Sequence, residues 1–421
     1  MSGFDLALKK GRPPNILNLF PNSRALIVSG KFIDLAMAAR EKAICIAANG
    51  RNHFVLRGAL MAAQRANSAL IIEIARSEST YCGVNFWNIA RQVDAVCNEL
   101  GITVPVAIHA DHYGIKKEAD IAPAIREIPS LFDAGVTSIA IDASHMPDDR
   151  NLSASIEIIQ KSVPGWAGLE TEVGEIKGNQ GLSTVEEASF LIEGLNAHDI
   201  FPNWIALNNG SSHGIQASDQ GIQVDLTRDI HEALEKFRVS GAQHGTSGNN
   251  SDRLREIAAR TRTTKANVAT ALQMVSWGLE VNDYGNAILD ADGSFRKLAG
   301  EGVEEEVWAD MLAYAAEKGW RSGNFKKLNL PFESRLLAQP APVRKRMSER
   351  VADFVYNMMV NVLGSENTAP LVTDLIMDAG GYDPGPKAVR IADPADWTPE
   401  KIAERAAAIN SDKGPEGDFD D

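Results

Sequence analysis

A chain of 421 residues, 44% hydrophobic and 23% charged, has the composition of a globular protein with a large core. Its net charge of −14 argues against nucleic acid or an anionic membrane as a partner, but leaves room for a phosphorylated substrate held by local backbone N–H groups. Cys45, Cys82 and Cys97 form no CxxC and no even framework, no stretch reaches the roughly 20 apolar residues of a bilayer span, and Met1–Arg12 lacks an apolar signal region, so a cytoplasmic protein is expected.

In chain order, residues 1–40 precede the regular pattern. Gly11, Pro13, Pro14 and Pro21 predict an irregular start, and Gly30–Glu41 reads as a short helix placed to cap the bottom of a barrel. Short β-rich runs then alternate with amphipathic segments of helical period. Strands are expected near Ala43–Ala48, Ala69–Ala75, Thr103–His109, Val136–Asp142, Gly168–Glu172, Trp204–Leu207, Val239–Gln243 and Thr264–Val268. Helices are expected at His53–Ala66, Phe86–Leu100, Glu118–Asp133, Arg150–Ser162, Thr184–Asn196, Thr227–Lys236, Ser251–Arg260 and Thr270–Val281. Eight of each in about 240 residues predicts an α/β fold, a TIM (β/α)8 barrel. An open doubly wound sheet fits less well: no GxGxxG follows the first strand, and polar residues end many strands rather than one switch point. Val303–Lys318, Pro342–Leu363 and Pro399–Asn410 read as further helices. The expected division is an N-terminal segment 1–40, a catalytic barrel 41–300, a helical C-terminal extension 301–410 and a disordered acidic tail 411–421.

Three of the eight His stand at equivalent places just past apolar strands: His112 in His109-Ala110-Asp111-His112, His213 in Ser212-His213-Gly214, and His244 in His244-Gly245-Thr246-Ser247-Gly248. In a (β/α)8 barrel the strand ends open on one face, so these residues converge. Neutral imidazoles suit Zn²⁺, and three protein ligands leave one position for substrate. Singly, each His is an ordinary polar residue at a strand exit; together, with Asp111 beside one of them, they point to a metal centre. Asp111 then either moves a proton to and from a substrate hydroxyl or caps the next helix. His109 points away from the side of Ala110 and is not assigned as a ligand.

Asp142 ends the fourth strand ahead of Ser144-His145, and Glu170 and Glu172 share one face of the fifth. Such carboxylates take a second or displaced cation or carry protons; for Glu170 a buried ion pair is the alternative. The turn from Gly245 to Gly248 is either a plain turn or a set of backbone amides aimed at a phosphate. Barrels often bind phosphate after their seventh and eighth strands, and here the eighth ends in Asn267-Val268-Ala269-Thr270. Arg76 reads as a surface cation or as a partner for a distal phosphate at the barrel mouth.

These residues resemble the class II, zinc-dependent ketose-bisphosphate aldolases, the fructose- and tagatose-bisphosphate aldolases. His109–His112 is similar to the family's catalytic Asp followed by a zinc His. Ile141–Pro147 resembles its IDGSHLP signature, and Leu169–Gly174 its LExExG element. Gly210–Gly214, His244–Gly248 and Lys265–Thr270 resemble its GTSHG, HGGSG and KxNVAT stretches. The resemblance implies zinc on His112, His213 and His244, acid/base catalysis by Asp111, and an alternative or second cation at Asp142 and Glu172. It also implies dihydroxyacetone phosphate contacts from Gly214, Gly245, Ser247, Asn267 and Thr270, with Thr246, Ala269, Asn49 and Arg76 as further candidate substrate contacts. The expected activity is reversible cleavage of a ketose (bis)phosphate, fructose 1,6-bisphosphate first and tagatose 1,6-bisphosphate or a modified ketose phosphate next, by a homo-oligomer. A metal-dependent barrel hydrolase and an inactive scaffold subunit are the readings from other classes. The chain departs from the family in four places: its Phe-Asn-Val-Asn is Ala48-Asn49-Gly50-Arg51 here, a Ser near the second strand end is replaced within Ile74-Ala75-Arg76-Ser77, the acidic residues of its loop after Glu172 are missing from Gly174–Gly181, where Glu175 is a weak substitute, and the C-terminal extension, with Arg335, is longer than an aldolase needs.

Overall fold

Eight short strands, buried on both faces, close into one all-parallel barrel: β1 (Cys45–Asn49), β2 (Leu70–Ala75), β3 (Val106–Gly114), β4 (Ser138–Asp142), β5 (Gly168–Val173), β6 (Trp204–Leu207), β7 (Ser240–Gln243) and β8 (Thr263–Val268). β8 returns to β1 with Lys265 opposite Cys45. The computed structural model describes residues 3–174, 181–211, 221–247, 249–282, 285–291 and 293–409. The expected tail 411–421 lies outside the described residues. No helix among them is long and apolar enough to cross a membrane.

Strand alternation sorts the side chains. Ile46, Leu70, Ile72, Ile74, Val106, Ile108, Ile139, Ile141 and Ile205 point outward and pack under the surrounding helices. Cys45, Ala47, Ile71, Ala107, Trp204, Ala206 and Ala242 fill the lower interior. Further up the same inward rows stand Glu73, His109, Asp111, Glu170, Glu172 and Lys265, all buried. The lower interior of the barrel is thus mainly apolar, with charge concentrated toward the C-terminal ends of its strands.

The expected helices form with small shifts at their ends. His53–Ala66 starts where the Asn52 side chain accepts the backbone N–H groups of Phe54 and Val55, Val185–Ala197 carries a Thr184/Glu187 capping box, and Ser251–Arg260 is capped by Asn250. Asp111 lies within β3, so it caps no helix; Ile121–Asp133 comes only after a 3₁₀ turn at Glu118–Asp120. The eighth helix stops at Trp277, because Gly278 adopts a left-handed conformation.

The irregular start expected for the N-terminus does not hold. Gly3–Lys10 and Pro14–Leu19 are helices. Pro14 sits in the first turn, where its missing N–H costs nothing, and the Arg12 guanidinium donates to the carbonyls of Leu8, Phe20 and Ser23. Gly30–Arg40 covers the base of the barrel as expected, packing Phe32, Ile33, Ala36 and Met37 on the lower interior. A Cβ on Gly30 would stand 2.7 Å from Ser138 Oγ, so only glycine lets this helix seat.

The chain after the barrel wraps its outside. Glu305–Glu317 and Asn329–Leu337 pack with Phe54, Met274 and Trp277 above the eighth helix. Ala341–Asn357, continued by a π-helical turn at Met358–Val362, lies along His53–Ala66; at Gly58 a Cβ would be 2.6 Å from Val351 Cβ. Ala369–Ala379 then reaches the base, where Ile376 meets Gly11.

Candidate active site

Simple alternation would send neighbours Asp111 and His112 to opposite faces of β3. A local irregularity prevents this. His112 has a φ of 41°, and the pairing of β3 with β4 shifts register between Ala110 and Tyr113. Asp111 stays on the inward row with His109, and the His112 ring comes over beside it, with Nε2 3.9 Å from Asp111 Oδ2.

Below the mouth lies a buried charge layer centred on Lys265. Its Nζ is 2.8 Å from Glu170, 3.2 Å from Glu73 and 3.5 Å from Asp111. Asn267 Nδ2 donates to both Asp111 oxygens at 3.0 and 3.1 Å. Burial pushes Asp111 up, but His112, Lys265, His244 and His109 more than offset it and hold the carboxyl below its usual range. Burial likewise opposes ionisation of Glu170, which Lys265, His109 and His244 bring well below the usual value. For Glu73 the pull of Lys265 is outweighed: burial and Asp111 raise it well above the ordinary range.

Above this layer the rings of His112 and His244 lie 4.3 Å apart. His112 Nδ1 is 3.1 Å from Glu172 and 3.8 Å from Asp142, whose Oδ1 also accepts from the backbone and hydroxyl of Ser144. Burial and Asp142 push Glu172 up to about 7, against the pull of His112 and His244. Asp142 is held at about 2, because His112, then His145 and Ser144, outweigh its burial. Three groups here can each bring ligand atoms within 4.8 Å of one another: Asp111, His112 and His244; His112, Asp142 and Glu172; and Glu170, Glu172 and His244.

These residues fit a metal ion. His244 Nε2 is paired with Glu170 at 2.8 Å, while its Nδ1 is buried without a hydrogen-bond partner. A lone pair left over on a buried imidazole among carboxylates is what a borderline divalent cation takes up. Beside it opens a cavity of about 330 Å³, lined by Asp111, His112, His244, Gly245, Thr246, Ser247, Asn267, Ala269, Thr270 and Asn49. Asn49 Oδ1, Ser247 Oγ and Asn267 Oδ1 are also buried without partners.

Sequence comparison meets this geometry. The family model for class II fructose-bisphosphate aldolase matches residues 33–322. The chain belongs to that family. This aldolase is 27% identical over 261 residues to the fructose-bisphosphate aldolase of Streptococcus pneumoniae, covering 59% of this chain and 80% of that one. It is 28% identical over 262 residues to the Streptococcus pyogenes protein of the same name, with the same shares covered. In fold it is similar to the YdjI aldolase of Escherichia coli K12 (TM-score 0.55, 15% identity, 82% of this chain and 99% of that one). The Campylobacter jejuni fructose-bisphosphate aldolase is alike to the same degree (TM-score 0.55, 19% identity, 82% and 97% covered).

Of the residues singled out from sequence, Asp111, His112, His244, Asp142 and Glu172 stand together, and Gly245, Thr246, Ser247, Asn267, Ala269, Thr270 and Asn49 line the cavity of the aldolase. His213, Gly214, Glu175 and Gly248 lie outside the described residues. Arg76 stands apart from the cavity lining: its guanidinium donates to the Gly114 carbonyl at 2.9 Å and lies 4.3 Å over the Tyr113 ring. The cations at the cavity are instead Arg51, Arg321 and Lys326. Arg51 is buried, 2.5 Å from Glu78, and its position in a departure from the family pattern was its only signal. Glu73 was legible as a charge inside an apolar strand. Nothing local marks Arg321 or Lys326, which come from the chain after the barrel.

Proposed function

We propose that the chain is a zinc-dependent aldolase that reversibly splits fructose 1,6-bisphosphate into dihydroxyacetone phosphate and glyceraldehyde 3-phosphate. The observation that carries this reading is Asp111: a buried carboxylate, gripped by Asn267, at the edge of a cavity shared with His112 and His244. His112 and His244, with His213 as the third ligand, would hold the zinc, and Asp142 and Glu172 would offer an alternative or second cation position. When bound, zinc supplies a Lewis acid for negative charge on the ketose oxygens.

The chain's own groups do the rest. Asp111 accepts the C4 hydroxyl proton on cleavage and returns it on condensation. The Asn267 amide, donating to both oxygens, fixes the plane of the carboxylate at the edge of the cavity. Ser247 Oγ, Asn49 Oδ1 and Asn267 Oδ1 orient the triose unit, and the backbone from Gly245 to Ser247 cradles its phosphate. Arg51, Arg321 and Lys326, at the same cavity, supply the positive charge that an anionic substrate requires.

A panel of ketose phosphates assayed with added Zn²⁺ tests the reading. Chelator-sensitive cleavage of fructose 1,6-bisphosphate, with the triose phosphate trapped, is expected. A preference for tagatose 1,6-bisphosphate would move the substrate, water incorporation without C–C cleavage would move the class to a hydrolase, and no turnover with any of them would leave a scaffold.

A further inference from the structure

We propose that Glu170 is a positioning residue for His244: by accepting the imidazole Nε2–H it fixes the tautomer that turns the Nδ1 lone pair toward the cavity. This rests on the reading of His244 as a metal ligand.

The geometry leaves Glu170 little choice. Its Oε1 is 2.8 Å from His244 Nε2, while its Oε2 is 2.8 Å from Lys265 Nζ and 3.4 Å from His109 Nε2, so Oε1 is left to His244. These side chains are all shut off from solvent, at 0 to 2% exposure. A carboxylate only accepts hydrogen bonds, and a neutral imidazole carries one N–H. A carboxylate at Nε2 therefore places the proton there and leaves Nδ1 as a bare acceptor. Nδ1 is also the atom of the ring that finds no partner. Glu172 lies 3.9 Å from it, beyond hydrogen-bond reach. The same Lys265 ammonium touches Asp111 at 3.5 Å, so one buried cation braces both the support of His244 and the proposed acid/base.

Glutamine at position 170 has one acceptor for two donors. Lys265 makes the stronger, charge-assisted claim on it. The amide N–H then faces Nε2, and the imidazole proton moves to Nδ1, the form that cannot ligate through that atom.

Two measurements decide the matter. The first is the ¹⁵N shifts of metal-free wild type labelled at histidine, with His244 identified by its loss in His244→Ala. The second is zinc affinity by chelator competition in wild type, Glu170→Gln and His244→Ala. Expected are Nε2–H in the wild type and a zinc dissociation constant about 10–100-fold higher in Glu170→Gln. Nδ1–H in the wild type overturns the proposal whatever Glu170→Gln does to folding. So does wild-type affinity in Glu170→Gln when His244→Ala has lost zinc. Full zinc affinity in His244→Ala is a different failure, because it removes the ligand reading itself and the proposal with it.

Discussion

At the base of the barrel, the buried Asp34 carboxylate receives Lys387 at 2.5 Å, Thr264 at 2.8 Å and Asn203 at 3.3 Å, and Lys387 also donates to the Asn203 carbonyl and Ser240. At the mouth, His244 Nδ1, Asn49 Oδ1, Ser247 Oγ and Asn267 Oδ1 are equally buried and have no partner. A buried polar atom left unmet costs about 1–3 kcal/mol. The Asp34 cluster closes its hydrogen bonds on itself, although His231 Nε2 near the base is also left without a partner. At the mouth such atoms gather around one cavity, which is the arrangement a ligand site requires.

The largest expected effect separates the two ends by function. Asp111→Ala should lower kcat about 10²–10⁴-fold while metal content, measured by elemental analysis, stays at the wild-type level. An unchanged kcat would remove Asp111 as acid/base. The mirror experiment is Asp34→Ala, which strands the Lys387 ammonium; unfolding in urea should show a loss of about 3–5 kcal/mol, with kcat per folded molecule intact. A fall in kcat there would mean that the two ends are not separate.

A pH-dependent effect concerns His231, buried near the base with Nδ1 accepting the backbone N–H of Arg262 at 3.1 Å. Burial, then Arg262, brings its pKa down to about 3. The unfolded chain binds this proton more readily, so stability is lost as pH falls from about 6.5 toward 3, with a slope of about 1.4 kcal/mol per pH unit. His231→Gln should flatten that part of the urea-midpoint profile; an unchanged slope would assign the loss to other groups. The smallest effect is at Arg76, whose truncation to alanine should leave KM within about two-fold, as for surface substitutions worth up to about 0.5 kcal/mol. A larger rise in KM would bring Arg76 back to the substrate.

Much of the barrel was readable because its signals are local. An apolar run such as Trp204–Leu207 has little alternative to a doubly buried strand, and His53–Ala66 and Ser251–Arg260 carry their caps in the preceding residue. The N-terminal helices were missed because Pro14 breaks a helix in mid-course but opens one at its first turn, and the deciding partner, Arg12, acts through folded contacts.

The sequence by itself determined that His112, His244, Asp111, Glu172 and the loops after β7 and β8 end up on one face, since parallel strands with crossover helices place every strand exit there. Only the tertiary structure decided that His112 turns in beside Asp111, through a left-handed residue and a register shift, and that Arg51, rather than Arg76, lines the cavity. It also decided that Lys265 binds Glu73, Glu170 and Asp111 together. Side-chain partners across a closed barrel are set by shear and packing, and no spacing along the chain records them.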